Sequence, residues 1–166
     1  MSEALFTESQ QFRQLWLWGL MLVVLLVVAG GAFTAFKSQT VPTWPKALMA
    51  GAVVLMLAVI AALYSAELRT QVKPDGVYIR FFPFHLSAVR ISAEELKTAE
   101  AVEYHPVRDY GGWGIRWSSQ GKAYSVGGKH GVKLTFKDPS RKPLLIGSNQ
   151  AEQLAAAIQP LLKQAQ

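Results

Sequence analysis

LWLWGLMLVVLLVVAGGAFTAF, residues 15–36, and ALMAGAVVLMLAVIAALYSA, residues 47–66, decide how this chain is organised. Neither stretch holds a charged residue. The first is bounded by Arg13 and Lys37, the second by Lys46 and Glu67. About 20 apolar residues in a helix, rising about 1.5 Å each, match a hydrocarbon core of about 30 Å. A core helix of a soluble protein keeps a polar face, and these runs have none. A cleavable leader starts basic, whereas here Arg13 is outnumbered by Glu3 and Glu8. The reading is an N-terminal tail over 1–14, a transmembrane hairpin over 15–66, and a domain over 67–166.

The connection from Lys37 to Lys46 contains Pro42 and Pro45, which predict an end to helical structure there. Trp44 between them suits the headgroup region. Two spans put both termini on one side. That side carries Arg13, Arg69, Lys73 and Arg80, against Lys37 and Lys46 in the connection. The excess of basic residues predicts that both termini and the domain are cytoplasmic. Small residues recur along both runs, Gly30 and Gly31 with Thr34 and Ala35, Ala47 with Gly51, Ala58 with Ala62. They predict close packing of the two helices, and the same faces suit a homodimer. The chain has no cysteine, so a disulfide framework is excluded.

From Glu67 onward the period becomes two. Leu68–Val72 and Val77–Phe82 read as strands around a Pro74-Asp75-Gly76 turn. Further strands are read at 87–91, 98–104, 113–117, 123–126, 132–136 and 144–146, with a single helical turn at 92–96. Seven or eight short strands with turn residues between them predict a small antiparallel barrel or sandwich. The last element changes period again. Asn149 and Glu152 have capping-box spacing, and Leu154, Ala157, Ile158 and Leu161 recur at helical spacing. A helix over about 149–164 is expected to cover one open end of the strands, with Pro160 ending or kinking it. The fold class is α+β: a two-helix hairpin, then a β domain with a C-terminal helix.

Several stretches carry a resemblance. They are Gln11-Phe12-Arg13-Gln14, Arg80-Phe81-Phe82-Pro83, Tyr110-Gly111-Gly112-Trp113-Gly114-Ile115-Arg116, Ala123-Tyr124-Ser125-Val126-Gly127 with Gly131-Val132, and Leu145-Ile146-Gly147-Ser148. With them the chain resembles a bacterial family of pleckstrin-homology-like (PH-like) membrane proteins with two N-terminal spans. The resemblance implies a PH-like barrel behind the hairpin, at a bacterial inner membrane. It implies no activity.

Chemistry-bearing residues are densest over 105–117: His105, Arg108, Asp109, Tyr110, Trp113 and Arg116, with Trp117 closing the segment. Aromatic side chains and arginine favour interface hot spots, so this segment is a candidate interaction loop. The plainer reading is that the tryptophans pack the domain and the glycines set a turn. Gly127-Gly128-Lys129-His130-Gly131 could cradle an anion with its amides, but it lacks the Walker spacing and reads equally as a hairpin turn. Phe81-Phe82-Pro83-Phe84 could dip into a bilayer, or be strand core ending at a proline. His85, His105 and His130 are scattered, without zinc-ligand spacing. A triad using His105 and Asp109 would need a serine brought to them in space, and no nucleophile elbow or cofactor fingerprint is present.

From Glu67 onward, Lys and Arg outnumber Asp and Glu by 14 to 9. A mildly basic domain tethered by its own spans lies near anionic lipid. The basic residues are spread out, without a nucleic-acid-binding signature. The expectation is a non-enzymatic, membrane-anchored interaction or scaffold module, with no cofactor and no metal. Its partners would be membrane lipid and a membrane or membrane-proximal protein. The alternative is binding or sensing of anionic lipid headgroups, with Arg80, Arg90, Lys129 and Lys133 as contacts.

Overall fold

The computed structural model describes residues 3–164. It divides into two units, Phe12–Ser65 and the chain on either side of that segment. The first unit is a helical hairpin, with α1 at Leu15–Lys37 and α2 at Thr43–Ser65. The most apolar windows of the two helices have mean hydropathies of 2.4 and 2.5 and are 6% and 0% buried. Both helices are therefore long and apolar enough to cross a membrane, and neither is sequestered in a globular core. They pack on each other. A Cβ added at Gly31 would lie 3.4 Å from Met49 Cε, so the bare glycine lets that side chain approach. Trp18 meets Tyr64 edge-on, with centroids 6.0 Å apart. Gly30 and Gly51 face open space instead. The prolines act differently from the sequence expectation. Pro42 lies outside a helix, but α2 takes Pro45 into its first turn, where a missing N–H costs no helical bond. Lys46 Nζ donates to Ser38 O at 2.8 Å across the turn.

In the second unit the strands are β1 Phe6–Gln11, β2 Glu67–Lys73, β3 Gly76–Phe82, β4 Val89–Ser92, β5 Leu96–Glu103, β6 Gly114–Ser118, β7 Gly121–Ser125, β8 His130–Phe136 and β9 Leu144–Gly147. A short helix, α3, spans Pro106–Tyr110, and α4 spans Ala151–Gln164. Sheet A has the order β1-β2-β3-β4, all antiparallel. Sheet B has the order β5-β8-β9-β7-β6 and is antiparallel except for the β7–β9 pair. Of the expected antiparallel barrel or sandwich, the barrel is corrected, because these are two separate sheets that do not close, and one of them includes a parallel pair. β4 passes into β5 through a 3₁₀ turn at Ala93–Glu95 without pairing with it.

Alternation places Leu68, Val72, Ile79 and Phe81 of sheet A, and Val132, Leu134 and Ile146 of sheet B, in the core. α4 buries Leu154, Ile158, Leu161 and Leu162. It packs on β5 and β8 and also touches β1 and β2, so it closes the core between the sheets. It continues through Pro160 to Gln164.

β1 lies within the stretch read from sequence as a tail. Its register runs from Phe6↔Val72 to Gln11↔Glu67. The residues it turns inward are polar, Glu8 and Gln10, 7% and 6% exposed. Ser148 Oγ donates to Glu8 Oε2 at 2.5 Å, and Asn149 N donates to Glu8 Oε1 at 2.8 Å. Gln10 Nε2 donates to Gly147 O at 2.8 Å. Ser148 Oγ in turn accepts from Gln150 N at 3.0 Å. A carboxylate from the segment before α1 thus sits at the start of α4, where the helix dipole favours negative charge.

Candidate functional site

The segment 105–117 is built by α3 and β6. His105 precedes α3, and its backbone N–H donates to Asp109 Oδ2 at 2.8 Å. Arg108 Nε lies 3.1 Å from Asp109 Oδ1. The backbone hydrogen bond, then the arginine, hold the Asp109 carboxyl below its ordinary range. Gly111 ends α3 at φ 74°, a left-handed conformation that suits glycine. Its N–H returns to Val107 O, and that of Gly112 to Pro106 O, both at 2.9 Å.

The candidate residues separate on this frame. Tyr110 is buried with Tyr104, Ala123 and Leu145 in a small cluster under α3, and burial raises its phenol above the ordinary value. It supports the segment from beneath. Trp113 Nε1 donates to Gly128 O at 3.4 Å, and Arg116 Nε donates to Trp113 O at 3.0 Å. His105, Arg108 and Arg116 are exposed. The largest exposed aromatic here is Trp117 of β6, 71% exposed, so it does not pack the domain as the plainer reading expects; Lys122 Nζ lies 4.8 Å above its ring. Among the described residues β6 is the last strand of sheet B, paired to β7 alone. Its other side is a row of backbone donors and acceptors.

The four candidate anion contacts do not form one group. Lys129 lies between β7 and β8. Lys133 stands opposite Glu100 in the β5–β8 register. Arg80 and Arg90 are on sheet A, and Arg90 is 3.1 Å from Asp75. Arg80 has a neighbour that sequence reasoning missed, for Arg69 is its direct cross-strand partner. Two arginines placed opposite each other repel. Arg69 is relieved by Glu67 at 3.1 Å. Ser9 Oγ also donates to Glu67, at 2.7 Å. These contacts, the Ser9 bond foremost, lower the Glu67 carboxyl pKa. Arg80 Nε donates a long bond to His85 O at 3.4 Å, and its guanidinium lies 5.8 Å from the Phe82 ring centroid. Both arginines line two adjoining depressions of about 250 and 220 Å³, which Glu67 and Phe82 line on one side and Tyr78 and Leu86 on the other.

The β3–β4 connection is set by His85, whose ring meets Tyr124 edge-on at 5.4 Å. Burial, then the Lys122 charge, lower its pKa. On either side of it Phe84 and Leu86 are 70% and 83% exposed. The Phe81–Phe84 run is thus divided: Phe81 is core, at 1% exposure, and Phe84 projects.

A third feature is a cleft of about 410 Å³ beside the start of α4, lined by Glu103, His130, Asn149 and Glu152 among others. Its walls come from three separate segments, so sequence spacing carried no signal of it. Among the described residues no set of three His, Asp or Glu side chains converges as metal ligands would. In comparisons with known proteins, no family model matches the chain and no curated protein matches it.

Proposed function

We propose that this protein is a membrane-anchored, non-enzymatic interaction module. The hairpin spans a bacterial inner membrane and a PH-like domain stands on its cytoplasmic face. The observation that carries the reading is the open edge of β6, with Arg116 and Trp117 exposed beside it. Two of the other three sheet edges, β5 and β4, are blunted. β5 presents Lys97, Glu100 and Glu103, and β4 has four residues. β6 instead offers arginine and tryptophan, the composition of binding hot spots, on a strand that an extended segment of a partner can extend. Tethering raises the domain's effective concentration for partners at the same membrane. The position of β1 also supports retention of α1, because cleavage after α1 would remove a strand of sheet A.

Photo-crosslinking in cells tests this, with a photoreactive residue replacing Trp117 in the full-length chain. One dominant protein adduct, diminished by Arg116→Glu, is expected. Lipid adducts alone, or no adduct, would contradict an edge-docked partner.

A further inference from the structure

We propose that the outer face of sheet A, at the end where the chain leaves for α1 and returns from α2, binds membrane phospholipid. Arg69 and Arg80 take the headgroup phosphate, and Phe84 and Leu86 enter the boundary between headgroups and acyl chains. The inference rests on the anchoring proposed above and names a lipid contact for it.

Register and chain length carry the argument. Glu67, the first residue of β2, is two residues past the last residue of α2. Its partner on β3 is Phe82, so the β3–β4 connection begins at that same end of the sheet. Arg69 lies four residues past Ser65, at most about 14 Å of extended chain. Headgroup regions add about 5–7 Å to each side of a hydrocarbon core. Arg69, and Arg80 opposite it, therefore stay within reach of headgroup phosphates if α2 crosses the bilayer.

The chemistry fits that depth. Two guanidinium groups on directly opposed residues, sharing one nearby carboxylate at Glu67, leave an excess positive charge that a phosphate diester relieves. Both arginines line the two adjoining depressions, where a headgroup can arrive with its membrane. Phe84 and Leu86 have no polar task in water. They are held outward by His85, which docks inward against Tyr124, and Phe84 rests on Phe81 with centroids 5.8 Å apart. Exposed apolar side chains beside cations are the composition of interfacial membrane contacts.

The chain lacks cysteine, so single labels can be placed cleanly. Full-length protein carrying Leu86→Cys or Val107→Cys, the latter on exposed α3, is labelled with a polarity-sensitive fluorophore. It is reconstituted in vesicles containing acyl-brominated phosphatidylglycerol or phosphatidylcholine. The proposal expects quenching at position 86 and none at 107. It also expects phosphatidylglycerol to quench about twofold or more above phosphatidylcholine, with parity in the Arg69→Gln/Arg80→Gln variant. No quenching at 86, or equal quenching by both lipids, overturns it. So does a label shielded from water yet unquenched, which would mark burial against protein instead of lipid. Vesicle flotation separates the two levels. Protein that floats with an unquenched label contradicts only the lipid contact, while protein that fails to float contradicts the anchoring as well.

Discussion

His85 shows how one side chain sets a surface. It is partly buried against Tyr124, and its Nδ1 is buried without a hydrogen-bond partner. Burial and the Lys122 charge both disfavour its protonated form, so its folded pKa lies below the ordinary 6.5. The unfolded chain then takes up the proton first as pH falls. The docked conformation is fully favoured above about pH 6.5 and loses stability as pH falls from there through the lower folded value. The thermal midpoint of the detergent-solubilised protein is expected to drop between about pH 7.5 and about pH 5.5, and to drop less in His85→Phe. Carboxylates whose pKa values are lowered, such as Glu67 and Asp109, act in the same direction but at lower pH.

Legibility at this scale depended on pairing. Tyr110 and Trp117 are both aromatic residues of one glycine-rich segment, yet one is 7% exposed and the other 71%. Nothing local separates them, because burial of Tyr110 is decided by Tyr104, Ala123 and Leu145 from other elements. Arg80 was legible as a cation, but its meeting with Arg69 exists only once the β2–β3 register is fixed.

Elements were legible in proportion to their apolar signal. α1 and α2 announced themselves by length and hydropathy, and α4 by helical spacing of Leu154, Ile158 and Leu161. β1 did not, because the residues it turns inward are Glu8 and Gln10. A strand that buries polar groups has no hydrophobic alternation to read. α3 was missed for a different reason, being five residues long, too short for a period. β1 carries a prediction at this scale. Glu8→Ala leaves the buried Ser148 hydroxyl and the Asn149 amide without their acceptor. A loss of about 1–3 kcal/mol is expected in denaturant unfolding of the full-length protein. Ser9→Ala, on the exposed side of the same strand, should stay within about 0.5 kcal/mol. Equal effects would mean that β1 does not hold the start of α4.

At the scale of the whole molecule, the hairpin is an insertion between adjacent strands of one sheet. β1 leads into α1, β2 follows α2, and the two strands pair along their length, ending at Gln11↔Glu67. A segment that reads as a tail before a membrane anchor is therefore part of the domain behind it. This connectivity places residues before α1 and after α2 on the same side of any membrane the hairpin crosses. The sequence gives that side an excess of arginine and lysine near the helices.

Cysteine accessibility tests this arrangement most directly. Thr40→Cys, in the connection between the helices, and Val107→Cys, on α3, are each treated in intact bacterial cells with a membrane-impermeant maleimide, before and after lysis. The account predicts labelling at 40 in intact cells and labelling at 107 only after lysis. Labelling at 107 in intact cells, with 40 protected, would contradict a cytoplasmic domain. Equal access at both positions in intact cells would contradict a hairpin that crosses the membrane.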